Sequence, residues 1–326
     1  MKFRCGFLRY CVALAAVLAA FSVYSGRILA QETLSIRIGG TGNYGPVLPV
    51  IAAQELGLFK KAGVDAQFTN FSGGSASMEG LAAGEVDLIN YFPPGLALAR
   101  QRGVEATIVG AGTLTPRGWA IMVKRDSDIT DLKQLIGKTI GITANGSTTD
   151  FFALWAAKQA GGDFVRVPVG GGALIPSLMN GNVVAISGYP PLTYKLELSG
   201  DGRILVDLGR AMEPNLPDVW IASDKIIKEN PEAVRRGLVG LYSAVQYMKA
   251  NREWTIKFIQ ERTGASEEIA KKEFENTILG LSDAGELKEE WVAASLNLGT
   301  LAGLKDLPAA RDIYTDRFVP VQTIKP

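Results

Sequence analysis

The 326-residue chain contains no histidine, and its only two cysteines, Cys5 and Cys11, sit near its N-terminus. Without an imidazole there is no Ser-His-Asp or Cys-His catalysis, and no Cys/His zinc site. If the N-terminal segment is removed, no thiol nucleophile and no disulfide remain. The sequence also lacks any low-complexity tract and any acidic or basic tail. Its formal charge is only +1, which gives no electrostatic case for nucleic-acid binding. Long apolar runs are equally scarce. The one that stands out, Cys11–Tyr24, is shorter than the roughly 20 residues a membrane-spanning helix needs.

That run follows Lys2, Arg4 and Arg9 and leads to a small-residue end at Ala30. Residues 1–30 therefore read as a cleavable secretory signal peptide. Arg4 and Tyr10 precede the two cysteines, which is not the small-residue context of a lipoprotein signal. Removal of Lys2, Arg4, Arg9 and Arg27 leaves 30 basic residues against 33 acidic ones. Just under 300 residues then remain, enough for two domains with well-filled cores.

The mature sequence repeats itself. Leu81–Pro94, LAAGEVDLINYFPP, aligns without a gap on Leu178–Pro191, LMNGNVVAISGYPP, and Gly73-Gly74 falls on Gly170-Gly171 at the same offset. Each copy reads strand, Gly-Gly, short helix, Gly, strand, Pro-Pro. The glycine after the helix supplies a left-handed terminating residue, and the apolar run after it suits a buried parallel strand. Strand and helix patterns alternate from Leu34 to Leu208, the order of a mostly parallel α/β sheet in each of two lobes. Gly118–Lys124 and Asp218–Ser223 bracket the second lobe and are expected to be strands crossing between the two. Expected limits are 31–117 plus 223–326 for the first lobe and 118–222 for the second. A helical tail, with amphipathic spacing at Leu238, Leu241, Val245 and Met248, is expected to cover the first lobe.

IAAQELGLFKKAGVDAQF, GLAAGEVDLI, SDITDLKQLIGKTIGITANGSTTDFF and LIPSLMNGNVVAI with its Pro-Pro occur in that order. In these stretches the chain resembles the nitrate/sulfonate/taurine class of periplasmic solute-binding proteins of ABC importers, which shares its fold with thiamine-precursor proteins. The resemblance runs from about Leu34 to Ala222. Val184 stands where many relatives carry an acid, and Gly188-Tyr189 where a Trp often precedes the Pro. The resemblance implies a type II periplasmic-binding-protein fold with a two-strand hinge. It further implies a periplasmic, non-catalytic monomer that closes on a small organic anion, sulfonate or carboxylate and possibly aromatic. The implied partners are an ABC permease and its ATPase, with no cofactor, metal or nucleic acid. A sensor presenting ligand to a membrane kinase, or a biosynthetic enzyme of the thiamine or menaquinone type, is the alternative on the same scaffold.

Anion capture on such a scaffold needs main-chain donors at helix N-termini rather than a reactive group. Three starts are legible: Asn43-Tyr44 before Gly45, Ser72-Gly73-Gly74-Ser75, and Asn145 with Ser147-Thr148-Thr149. Gly170-Gly171 is the symmetry mate of the second. Tyr91, Phe92 and Tyr189 lie at strand C-termini, where open α/β sheets hold ligands, and Arg117 could clamp an acid with two prongs. Each also has a plainer role: the hydroxyls can cap helices, the glycines can form turns, the aromatics can fill core, and Arg117 can lie in solvent. Gly40–Gly45 spells GxGxxG, but Pro46 removes a phosphate-facing donor, so no nucleotide cofactor is expected. Asp87, Asp150 and Asp207 read as caps and surface groups.

Overall fold

The computed structural model describes residues 34–326; the expected signal peptide, residues 1–30, lies outside them. Ten strands form: β1 Leu34–Gly40, β2 Val64–Asn70, β3 Leu88–Tyr91, β4 Ala106–Ala111, β5 Ala120–Lys124, β6 Thr139–Ile142, β7 Val165–Pro168, β8 Ala185–Gly188, β9 Gly202–Asp207 and β10 Val219–Ser223. They build two five-stranded sheets, β2-β1-β3-β10-β4 and β7-β6-β8-β5-β9. The repeat seen in the sequence places β3 and β8 at the same central position of the two sheets.

The sheets are mixed rather than simply parallel. β1 runs parallel to β2 and β3, while β10 runs antiparallel to β3 and β4. In the second sheet β6 is parallel to β7 and β8, and β5 is antiparallel to β8 and β9. The reversed strand in each sheet is the one that follows a crossing from the other lobe. Residues 219–222, assigned to the second lobe from sequence, pair in the first sheet instead. The physical reason is that Trp220, Ile221 and Ala222 are apolar on both faces and fully buried there, as a central strand requires.

Helix boundaries follow local chemistry. Ser147, Ser223, Asn230 and Ser266 accept hydrogen bonds from first-turn amides of the helices they precede, satisfying donors that the helix itself cannot. Gly161, in the left-handed region at φ 80°, ends the helix Thr148–Ala160. Leu132–Leu135 forms a 3-10 turn held by an Asp131/Gln134 capping box.

Helix Pro231–Ala250 buries Leu238, Leu241, Val245 and Met248 and packs on helix Leu48–Glu55 and β1. Each such side chain contributes about 1.5–3 kcal/mol on burial. The rest of the tail does more than cover the first lobe. Helix Glu289–Leu301 packs on Pro93–Gln101 of the first lobe and on Thr148–Ala160 of the second, and helix Glu267–Asn276 packs on Leu192–Leu198 of the second. The second lobe's core accordingly takes in Tyr44, Val47, Phe92 and Leu298. No described helix is long and apolar enough to cross a membrane.

Candidate functional site

The two lobes meet around a cavity of about 50 Å³ lined by Thr41, Tyr44, Gly73, Gly74, Asn90 and Tyr91 from the first lobe and by Thr143, Ser147, Thr148, Thr149 and Tyr189 from the second. Trp119 and Asp218, at the two crossings, complete it. Two helix starts from opposite lobes, Gly74–Ala82 and Thr148–Ala160, thus face one space. The first amides of a helix have no intrahelical acceptor and carry its positive dipole end, so this wall of the cavity suits a negative group. Gly74 is required by contact: a Cβ there would come within 2.5 Å of the Tyr91 ring.

Three mutually packed aromatic rings also line the cavity. Tyr44 stands edge-on to Trp119 at 5.9 Å and to Tyr189 at 5.7 Å, and Trp119 lies 5.8 Å from Tyr189. Phe92 is fully buried and lies behind them, against Phe151 at 5.4 Å and Phe152 at 5.8 Å. It is packing rather than lining. Across the cleft, the Tyr91 hydroxyl donates to the Gly146 carbonyl at 2.6 Å and Ser75 Oγ to the Asn145 carbonyl at 3.3 Å. The lobes are therefore closed on each other. Burial pushes the Tyr91 phenol up to about 12, so it donates at any ordinary pH.

Asp218, which the sequence did not single out, is the most informative residue of the site. Its carboxylate accepts from Asn90 Nδ2 at 3.0 Å, from the Thr113 hydroxyl and, at 3.4 Å, from the Tyr44 hydroxyl. Burial raises its pKa, and the Thr113, Asn90 and Tyr44 donors oppose the rise. Burial, with the Asp218 charge beside it, pushes the Tyr44 phenol well above its usual range. No lysine or arginine lines the cavity. Among the described residues, Asp218 is the one carboxyl that lines it.

The other residues expected from sequence fall outside this space. Asn43, Ser72, Gly170 and Gly171 line an outer cleft of about 600 Å³ that shares Thr41 and Tyr189 with the cavity and reaches Arg262. Asn145 is exposed and takes part through its carbonyl. Arg117 is exposed and lines neither space, because the crossing turns its side chain outward while Trp119 turns in. Ser147 and Thr149 are partly committed within the second lobe: Ser147 Oγ caps Asp150 at 3.3 Å, and Thr149 Oγ1 accepts from the Thr143 amide at 2.9 Å. Among the described residues no group of three or more His, Cys, Asp or Glu is placed to hold a metal.

Against known proteins, the profile of the "NMT1/THI5 like" family matches residues 46–253. The chain belongs to this family. A Brucella abortus protein described as a binding protein is 26% identical over 234 residues, 70% of this chain and 72% of the relative. The taurine-binding periplasmic protein of Escherichia coli is 27% identical over 204 residues, 61% of this chain and 62% of the relative. Among solved structures, the alkanesulfonate-binding protein SsuA from Xanthomonas axonopodis pv. citri, bound to MOPS, superposes with a TM-score of 0.74 at 19% identity, covering 89% of this chain and 98% of that one. At that identity the superposition establishes the two-lobed periplasmic-binding-protein fold.

Proposed function

We propose that the protein is a periplasmic solute receptor of an ABC importer that closes its lobes on a small zwitterion and delivers it to a permease–ATPase complex. The observation that carries this reading is one interlobe cavity with two unlike poles, helix starts and a buried acid. Amide-rich helix starts from both lobes form the pole for an acidic group, a sulfonate or carboxylate. Asp218, backed by the faces and edges of Tyr44, Trp119 and Tyr189, forms the pole for an ammonium group. A carboxylate and aromatic rings together are the usual environment for an organic cation, and an unpaired anion would leave Asp218 repelling it in a low dielectric. A simple organic anion, as expected from sequence, satisfies only the first pole. The small volume favours a solute of a few heavy atoms, well below the roughly 300–1,000 Å³ of drug-sized sites.

The receptor role itself accords with relatives that are named as binding proteins. In this reading the lobes turn about the crossings near Gly118–Val123 and Val219–Ser223, and closure is driven by the solute's better fit to the closed form. The chain is exported, acts as a monomer and performs no chemistry on what it binds.

A thermal-shift panel built from matched pairs tests the proposal: taurine against ethanesulfonate, and small amino acids against the corresponding carboxylates. Stabilisation by an amine-bearing member and not by its partner is the expected outcome. Stabilisation by nitrate, sulfate or ethanesulfonate alone would overturn the zwitterion, and no response to any small solute would overturn the receptor.

A further inference from the structure

Behind Tyr44, on the side away from the cavity, lies a second buried acid that the binding site does not use. Glu273, on helix Glu267–Asn276, is fully buried and neither of its carboxyl oxygens has a hydrogen-bond partner. Two neighbouring hydroxyls, Thr277 Oγ1 and Tyr194 OH, are likewise buried and unpartnered. The carboxyl lies directly against Gly45, where any Cβ would overlap it, and the Tyr194 hydroxyl lies in the same way against Gly118 at the first crossing. Tyr194 belongs to helix Leu192–Leu198 of the second lobe. This seam therefore joins the tail, the second lobe, the loop that carries Tyr44 and the crossing itself.

We infer that Glu273 is a proton-operated latch on lobe closure: the seam seats only when this carboxyl carries a proton, and opening the seam to water releases it. A carboxylate buried without a donor or a cation is strongly disfavoured, and a neutral acid is not. Burial raises Glu273 to about 8, against an opposing pull from the nearby Thr277 hydroxyl. The charges of the packed elements are engaged elsewhere. Lys272 pairs with Glu197 at 2.8 Å and lies over the Tyr194 ring, while Arg252 pairs with Glu275 at 2.9 Å and Lys271 with Glu267 at 2.6 Å. Lys195, Lys257, Glu261, Arg262 and Glu268 are exposed. The titratable groups that face Glu273 are the phenols of Tyr44 and Tyr194. Both are held neutral by burial, and the Glu273 charge would raise them further; Asp218 lies beyond Tyr44 and Asp207 beyond Tyr194.

In the open form a hydrated Glu273 titrates in the ordinary carboxylate range; in the closed form it titrates higher. Between those limits closure takes up one proton, so the closed-to-open ratio falls by up to about tenfold per pH unit as pH rises. Above the higher limit the dependence stops. The inference rests on closure as described above, but its test needs no solute and so stands or falls apart from ligand identity. Small-angle scattering of the unliganded chain at pH 6 and pH 9 is the experiment. The radius of gyration should be larger at pH 9 in the wild type and equal at the two pH values in Glu273→Gln. Glu273→Leu, which fills the site with an apolar side chain of similar reach, should also be pH-independent. An unchanged wild-type radius, or the same change in a folded variant, overturns the latch.

Discussion

Two fully buried acids, Asp218 in the cavity and Glu273 in the seam, lie on either side of Tyr44 and are treated in opposite ways. Asp218 receives donors from three residues on three different segments, Asn90, Thr113 and Tyr44. Glu273 receives none. Burial costs each charge alike, so the difference lies in what the fold supplies to offset it. Donors pull the first back toward the anion against its burial, and their absence leaves the second a neutral acid whose proton follows closure.

Tyr44 and the rings packed on it form the wall that the two acids share. Trp119→Ala removes a buried ring that contacts Tyr44, Phe152 and Tyr189, and should cost about 3–5 kcal/mol of stability by chemical denaturation. Asp218→Asn keeps an acceptor for its donors but removes the charge. It should weaken binding of any amine-bearing solute by about 2–5 kcal/mol, the cost seen on removing one partner of a buried charge pair, and strengthen binding of its deaminated analogue, which the carboxylate repels, measured by calorimetry. Gly45→Ala drives a methyl group into the Glu273 carboxyl. An overpacking cost of about 1–3 kcal/mol is expected, visible as a lowered Tm that Gly45→Ala/Glu273→Ala partly restores.

Native stability should carry the same signature as closure. A carboxyl raised to about 8 in the folded state contributes fully at low pH and loses its contribution as pH rises through that value. Wild-type denaturation midpoints should therefore fall between pH 6 and 9 more steeply than those of Glu273→Gln. The smallest effect belongs to the seam's outer pair. Lys272 and Glu197 are both about one-third or more exposed, and Lys272→Met should change stability by less than about 1 kcal/mol.

Much of this architecture was legible because its signals are local. The Gly-Gly and Gly/Pro-Pro punctuation of Leu81–Pro94 and Leu178–Pro191 marks where strands end and helices begin, and those ends are what the cavity is built from. Gly73 and Gly74 are legible from this punctuation, and Ser147–Thr149 from the run of hydroxyls that opens its helix. Asp218 was not, although the strand it precedes was. Its meaning depends on β10 entering between β3 and β4, which brings it to Asn90, 128 positions away, and no local pattern encodes that. Arg117 drew attention as a cation beside a crossing, yet nothing in the sequence fixes which way a turn residue faces. Glu273 carried a signal that was readable in principle. Ala270, Glu273, Phe274 and Thr277 are spaced as one buried helix face, and an acid in that stripe is out of place.

The most direct measurement compares infrared difference spectra of the unliganded wild type, Glu273→Gln and Asp218→Asn at neutral pH in the region of the protonated carboxyl stretch. A band is expected in the wild type that Glu273→Gln abolishes and Asp218→Asn retains. A wild type with no such band, or one lost on replacing Asp218 instead, would contradict a neutral Glu273.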